Sequence, residues 1–135
     1  MICFKDKFVV ITGASSGIGA ALAKEFARRG ARLLLMGRNS ERLAKTAILC
    51  RSAGSPQVQT ALVDMTSEES IAHFASSLKD TPDCLVLNAG ISQRSPALQT
   101  EPSAERKIME TNFWGPVNLV HALSDYNLVI VRILH

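Results

Sequence analysis

Gly13, Gly17 and Gly19 are spaced Gly-x-x-x-Gly-x-Gly and stand where two sequence patterns meet. Before them runs Phe8-Val9-Val10-Ile11, apolar without alternation, as a strand covered on both faces is. After them apolar residues recur at helical intervals. A strand, a glycine turn and a helix start together present backbone N–H groups and the positive end of a helix dipole. That combination suits an oxygen-rich anion such as a pyrophosphate. The glycines have separable tasks. Gly13 can take positive φ in a tight turn, Gly17 lets backbone approach a phosphate, and Gly19 lets the helix pack closely on the strand.

The motif as a whole, Thr12-Gly13-Ala14-Ser15-Ser16-Gly17-Ile18-Gly19, resembles the glycine motif of the short-chain dehydrogenases/reductases. A second resemblance is Asn88-Ala89-Gly90, directly after the apolar run Cys84-Leu85-Val86-Leu87. The family carries an Asn-Ala-Gly turn there, usually with another Asn before it, where this chain has Leu87. The resemblance implies that Asn88 ties the central strands together through its amide. It also implies that Ala89 and Gly90 let backbone pass close to a cofactor ribose. A third lies in Met109-Glu110-Thr111-Asn112-Phe113-Trp114-Gly115, where Asn112 matches the Asn of the family's catalytic group. In the family that Asn helps a water hold the active-site lysine through its backbone carbonyl. The plainer reading of Asn112 is a polar residue at a helix irregularity near Gly115 and Pro116, and Trp114 reads as packing.

The first helix is expected from about Ser16 to Arg29, with Ile18, Ala21, Leu22 and Phe26 on one face and Gly30 as its stop. Arg32 to Met36 is a buried strand ending in Gly37-Arg38-Asn39. In dinucleotide folds an acid at this point accepts from the ribose 2′-hydroxyl of NAD. Here there is none. Gly37 leaves room and Arg38 offers a planar cationic fork suited to phosphate, so NADP(H) is expected over NAD(H). A second helix runs from Ser40 to about Ser52 with Leu43, Ala44, Ala47 and Ile48 inward, and a third strand from Val58 to Val63. The strand leads to Asp64 and Met65. By the resemblance, Asp64 contacts the adenine and Met65 closes over the ring; alternatively, Asp64 caps the next helix. Thr66-Ser67-Glu68-Glu69 has the capping-box pattern, with Ile71, Phe74, Ala75 and Leu78 behind it. A long helix is expected from Ser103 to about Leu123.

Composition sets the outer limits. The chain has 135 residues, 47% of them hydrophobic, enough for one domain with a core. Its net charge of +3 is spread along the chain and reads as solvated helix faces, not nucleic-acid binding. Cys3, Cys50 and Cys84 fit no metal spacing, nor do His73, His121 and His135, so no metal site is expected. No apolar run reaches membrane-spanning length and no signal peptide is visible, which reads as cytoplasmic and membrane-free.

The resemblance covers residues 5 to about 123, with an atypical tail over 124–135. The family's catalytic Ser and Tyr-x-x-x-Lys are not found. Tyr126 is the only tyrosine, position 130 holds Ile130, and the last lysine is Lys107. The β-like segment Leu128 to Leu134 fits a fifth strand on a shortened connection, or an altered reading frame or splice product. The expected architecture is therefore a single α/β domain over 1–135. It is a Rossmann-type doubly wound parallel sheet, truncated, of strand order 3-2-1-4 with room for a fifth strand. The cofactor-binding set is Gly13, Ser15, Ser16, Gly17, Ile18, Gly19, Arg38, Asn39, Asp64, Met65, Asn88, Ala89 and Gly90, with Asn112 from the catalytic group. The resemblance implies alcohol–carbonyl interconversion on a small-molecule substrate in a full-length form, and allows a homo-oligomer. The alternative is a non-catalytic dinucleotide-binding or regulatory fragment.

Overall fold

A computed structural model describes residues 3–15, 17–88 and 102–133. Five parallel strands form one sheet in the order β3-β2-β1-β4-β5. They are β1 (Phe8–Ile11), β2 (Arg32–Gly37), β3 (Val58–Leu62), β4 (Cys84–Leu87) and β5 (Val129–Arg132). The connecting helices are α1 (Gly17–Arg28), α2 (Ser40–Ala53), α3 (Glu68–Ser77), α4 (Pro102–Met109) and α5 (Gly115–Ala122). A π-helical turn, Glu110–Trp114, joins α4 to α5. The β-like tail thus pairs beside β4, from Cys84 opposite Val129 to Leu87 opposite Arg132. It is an outer strand whose Val129, Ile130 and Val131 are exposed.

Alternation along the strands builds two cores, because successive side chains point to opposite faces. Val9, Ile11, Leu33, Leu35 and Val86 join Ala23 and Ala27 of α1 and Leu43, Ala47 and Cys50 of α2. Phe8, Val10, Leu34, Met36, Leu85 and Leu87 join Ile71 and Phe74 of α3 with Leu119 and Leu123. Each fully buried aliphatic side chain contributes about 1.5–3 kcal/mol, so the central strands hold the fold.

Several local expectations change. The buried stripe of α1 is Gly19, Ala23 and Ala27. Leu22 and Phe26 are only partly buried, and Ile18 and Ala21 face water. Small residues line the contact because the helix lies close on the sheet, leaving no depth for large ones. In α2 the buried positions are Leu43, Thr46, Ala47 and Cys50, while Ala44 and Ile48 are exposed. The expected capping box does not form. Ser67 is the N-cap and accepts from the Ser70 N–H at 3.1 Å. Thr66 turns back to Asp64 instead, where an ionised carboxylate is the stronger acceptor. The long helix is broken by the π turn, and Trp114 is about half exposed. Cys50 and Cys84 are buried, and burial pushes both thiols up, away from the reactive thiolate form. No helix among the described residues is long and apolar enough to cross a membrane.

Candidate functional site

The glycine turn after β1 is held from both sides. The Ala14 N–H donates to Met36 O of β2 at 3.0 Å, and the Thr12 N–H to Val86 O of β4 at 3.0 Å. Asn88 adds two more ties. Its backbone N–H donates to Thr12 Oγ1 at 2.9 Å and its side-chain amide to Gly13 O at 3.2 Å. Asn88 therefore does join the central strands through its amide. Gly13 and Gly17 have φ of +64° and +61°, the region that glycine reaches without a Cβ penalty. In front of Gly17 an added Cβ would meet nothing within 4 Å, so space is open there for a ligand atom. At Gly19 a Cβ would run into Gly13 O and come within 2.5 Å of the Asn88 amide nitrogen. Its bareness is what seats α1 against the turn. The first turn of α1 carries no acid of its own to offset the positive end of its dipole.

A cleft of about 140 Å³ opens beside the turn at the carboxyl ends of β1, β2 and β3. Gly13, Ser15, Arg38, Asp64 and Met65 line it, so the structure brings these five expected residues together. Met36, Gly37, Val63, Thr66 and Thr111 complete the wall. Ile18 and Asn39 stand apart from it. Ile18 is 50% exposed on the first turn of α1. Asn39 is the N-cap of α2, its side-chain oxygen accepting from the Arg42 N–H at 3.0 Å. The missing Cβ of Gly37 does not make room for a ligand as expected. It clears the Leu43 side chain of α2, which a Cβ would meet at 3.2 Å. Ser16, Ala89 and Gly90 lie outside the described residues.

Since Ser67 caps the helix that follows, Asp64 does not. Its Oδ1 accepts from the Thr66 N–H at 2.9 Å and the Thr66 hydroxyl at 2.6 Å, closing the loop before α3. It also faces the cleft. The Thr66 bonds hold its carboxyl below the ordinary aspartate value, with Arg38 and Lys107 adding to the effect. A depressed folded-state value stabilises the fold above the unfolded value and loses that contribution as pH falls through the folded one. The melting temperatures of the native chain and Asp64→Asn should thus differ at about pH 7 and converge toward about pH 2. A gap that widens on acidification would contradict this.

The π turn has a cause in the sequence. Pro116 has no N–H to give the carbonyl four residues back, that of Asn112. The Gly115 N–H reaches Glu110 O instead. Arg132 of β5 donates to the Asn112 carbonyl at 3.3 Å. The carbonyl through which the family resemblance places a lysine, by way of water, thus has an arginine beside it. Gly115 presses the turn onto the loop after β3, since a Cβ there would run into Met65 O. This sets Thr111 in the cleft wall. Sequence reasoning missed Thr111. The only hint was its place beside Asn112, four and five residues before Gly115 and Pro116.

The family model described as short chain dehydrogenase matches residues 7–130. Dehydrogenase/reductase SDR family member 7B of Bos taurus is 39% identical over 127 residues, which are 88% of this chain and 39% of that protein. The 11-beta-hydroxysteroid dehydrogenase 1A of Arabidopsis thaliana is 40% identical, over 89% of this chain and 36% of its own length. Among solved structures, a metagenomic short-chain oxidoreductase in complex with NADP superposes with a TM-score of 0.85 at 29% identity, over 92% of this chain and 57% of that one. An alcohol dehydrogenase from the archaeon Thermococcus sibiricus, complexed with 5-hydroxy-NADP, gives 0.85 at 29%, over 93% and 57%. The chain spans about two fifths of the length of these curated relatives.

Proposed function

The chain belongs to the short-chain dehydrogenase/reductase family, and on that premise we propose that it is the dinucleotide-binding portion of an NADP(H)-dependent oxidoreductase interconverting an alcohol and a carbonyl. The observation that carries this reading is Arg38, set in the wall of the cleft beside the glycine turn, with no acid at the end of β2. The complexes of similar proteins with NADP and 5-hydroxy-NADP support the same choice.

The residues present fit such a cofactor. The open ground before Gly17 and the acid-free first turn of α1 suit the pyrophosphate. Arg38 pairs with a 2′-phosphate through its charged fork. Asp64 accepts from the adenine amine and Met65 covers the ring. When bound, the dinucleotide supplies the hydride donor or acceptor. A matching proton transfer at the substrate oxygen needs an acid–base group. The 135 residues contain no Tyr-x-x-x-Lys to provide it in the family's way.

The pure 135-residue chain is therefore expected to bind the cofactor and turn over nothing. NADPH absorbance followed with a panel of simple aldehydes and ketones should match the protein-free blank. Appreciable NADPH oxidation would overturn this part of the reading. The Arg132 bond to the Asn112 carbonyl favours a second reading, a non-catalytic dinucleotide-binding or regulatory protein. That reading expects cofactor binding weakened by Arg38→Asp, with no turnover by the 135-residue chain even when a partner is added.

A further inference from the structure

We propose that the outer side of α1 and α2 is a docking surface for a bilayer carrying anionic lipid headgroups, with Ile48 and Leu49 entering the headgroup region. The net charge, expected to be spread along the chain, is sorted by layer. Residues 1–55 hold ten Lys and Arg against three Asp and Glu, and residues 56–135 hold five against nine. In the fold this division falls across the sheet. α1 and α2 lie side by side on one face, packed on Val9, Leu33 and Leu35. α3 packs on the other face; it opens on Glu68 and Glu69 and carries no Lys or Arg. A molecule with one basic and one acidic side is oriented by the field of a charged surface.

Charge alone would suit any polyanion. α2 adds what a bilayer can use. Its exposed positions include Arg42, Lys45, Ile48, Leu49 and Arg51. Ile48 and Leu49 are 59% and 51% exposed, three and four residues after Lys45, a spacing that sets all three on one side of the helix. The buried side of α2 is supplied by Leu43, Ala47 and Cys50, so packing does not account for the exposed pair. Basic residues around large aliphatic side chains are the composition of a helix lying in a membrane interface. Lysine and arginine stems run along the apolar surface while their charged heads meet phosphate. A nucleic-acid backbone would meet the same cations but offers nothing to Ile48 and Leu49. Such contact requires no membrane-spanning helix, and none is present among the described residues.

α1 extends the positive field. Lys24 stands near enough to Cys50 of α2 for its charge to act against the rise of that thiol. Glu25 meets Arg28 at 3.1 Å and Arg29 at 3.2 Å, and one carboxylate against two guanidinium groups leaves a positive remainder. Glu41, in the first turn of α2, is the other acid of the two helices. Ile48 lies about 12 Å along α2 from Ser40, the end nearest Arg38 and the cofactor cleft. The docking face and the cleft are therefore separate.

Cosedimentation of the 135-residue chain with phosphatidylcholine vesicles, with and without about one third phosphatidylserine, tests this. The native chain should bind the mixed vesicles, ignore the neutral ones and come off in about 0.5 M salt. Lys45→Glu should weaken binding about 10- to 30-fold, and the milder Lys45→Gln about fivefold. Ile48→Ser combined with Leu49→Ser should weaken it about 5- to 20-fold while leaving affinity for a duplex DNA oligomer unchanged. Lys79→Glu, the same reversal beyond α3, should bind vesicles like the native chain. Melting temperatures should stay within about 3 °C of native, because all these side chains are exposed. No binding of the native chain to the mixed vesicles would overturn the inference. So would equal weakening by Lys79→Glu, or full binding by the serine pair. Tighter binding to the DNA oligomer than to the mixed vesicles, lost in Lys45→Glu, would assign the face to nucleic acid instead.

Discussion

Gly19→Ala is expected to abolish dinucleotide binding and to lower the melting temperature by roughly 10 °C. The new methyl would run into Gly13 O and the Asn88 amide at once. Neither can yield cheaply. Gly13 is backbone, and the turn containing it is tied to Met36 O, Val86 O and Asn88. Overpacking of this kind costs about 3 kcal/mol when no flexible side chain can move aside. The relief open to the structure is to lift α1 off the turn, which breaks the Asn88 tie and moves the helix start from the pyrophosphate position. Binding and stability should fall together. Thermal melting and titration of NADPH check this, and a variant that melts like the native chain would contradict the packing argument. Ala23→Gly, on the same helix face, serves as a control. It should lower stability by about 1 kcal/mol through helix propensity while leaving NADPH binding in place.

Arg38→Asp should weaken 2′,5′-ADP binding roughly 100-fold and leave 5′-ADP nearly unchanged. The guanidinium stands at the end of β2, where dinucleotide folds meet the adenosine ribose. A charge-assisted bond to a phosphate is lost in the variant, and a carboxylate that repels the 2′-phosphate takes its place. The same carboxylate can accept from a free 2′-hydroxyl, so NADH should bind the variant better than NADPH. The melting temperature should barely move, because Arg38 is exposed and, among the described residues, its side chain makes no hydrogen bond or ion pair. An equal loss for both nucleotides would mean that Arg38 supports the cleft and does not select the phosphate.

Much of the site was legible because its physics is local. A glycine that must take positive φ, as at Gly13 and Gly17, leaves its mark on the sequence. So does an apolar run long enough for a strand covered on both faces, and β1, β2 and β4 were read that way, while polar residues interrupt β3. Asn88 was found through its turn, and its hydrogen bonds to the glycine loop bear that out. The helix faces were harder. Large apolar residues at helical intervals drew attention in α1, while the contact is made by Gly19, Ala23 and Ala27. Close packing on a sheet selects for smallness, which a hydrophobicity pattern does not register. The capping of α3 by Ser67 in place of Thr66 reflects a local competition. Asp64 outbids the helix end for the Thr66 hydroxyl, and sequence spacing does not rank acceptors. The π turn was half visible, since Pro116 alone deprives the Asn112 carbonyl of its donor. That Arg132 donates to this carbonyl depends on β5 pairing beside β4, a contact made across the fold and not along the chain.

The most direct test is calorimetric titration of NADPH and NADH into the native 135-residue chain. Binding of NADPH at least about tenfold tighter than NADH is the predicted result. Failure to bind either, or equal affinity for both, would contradict the assignment of this cleft to an NADP(H) cofactor.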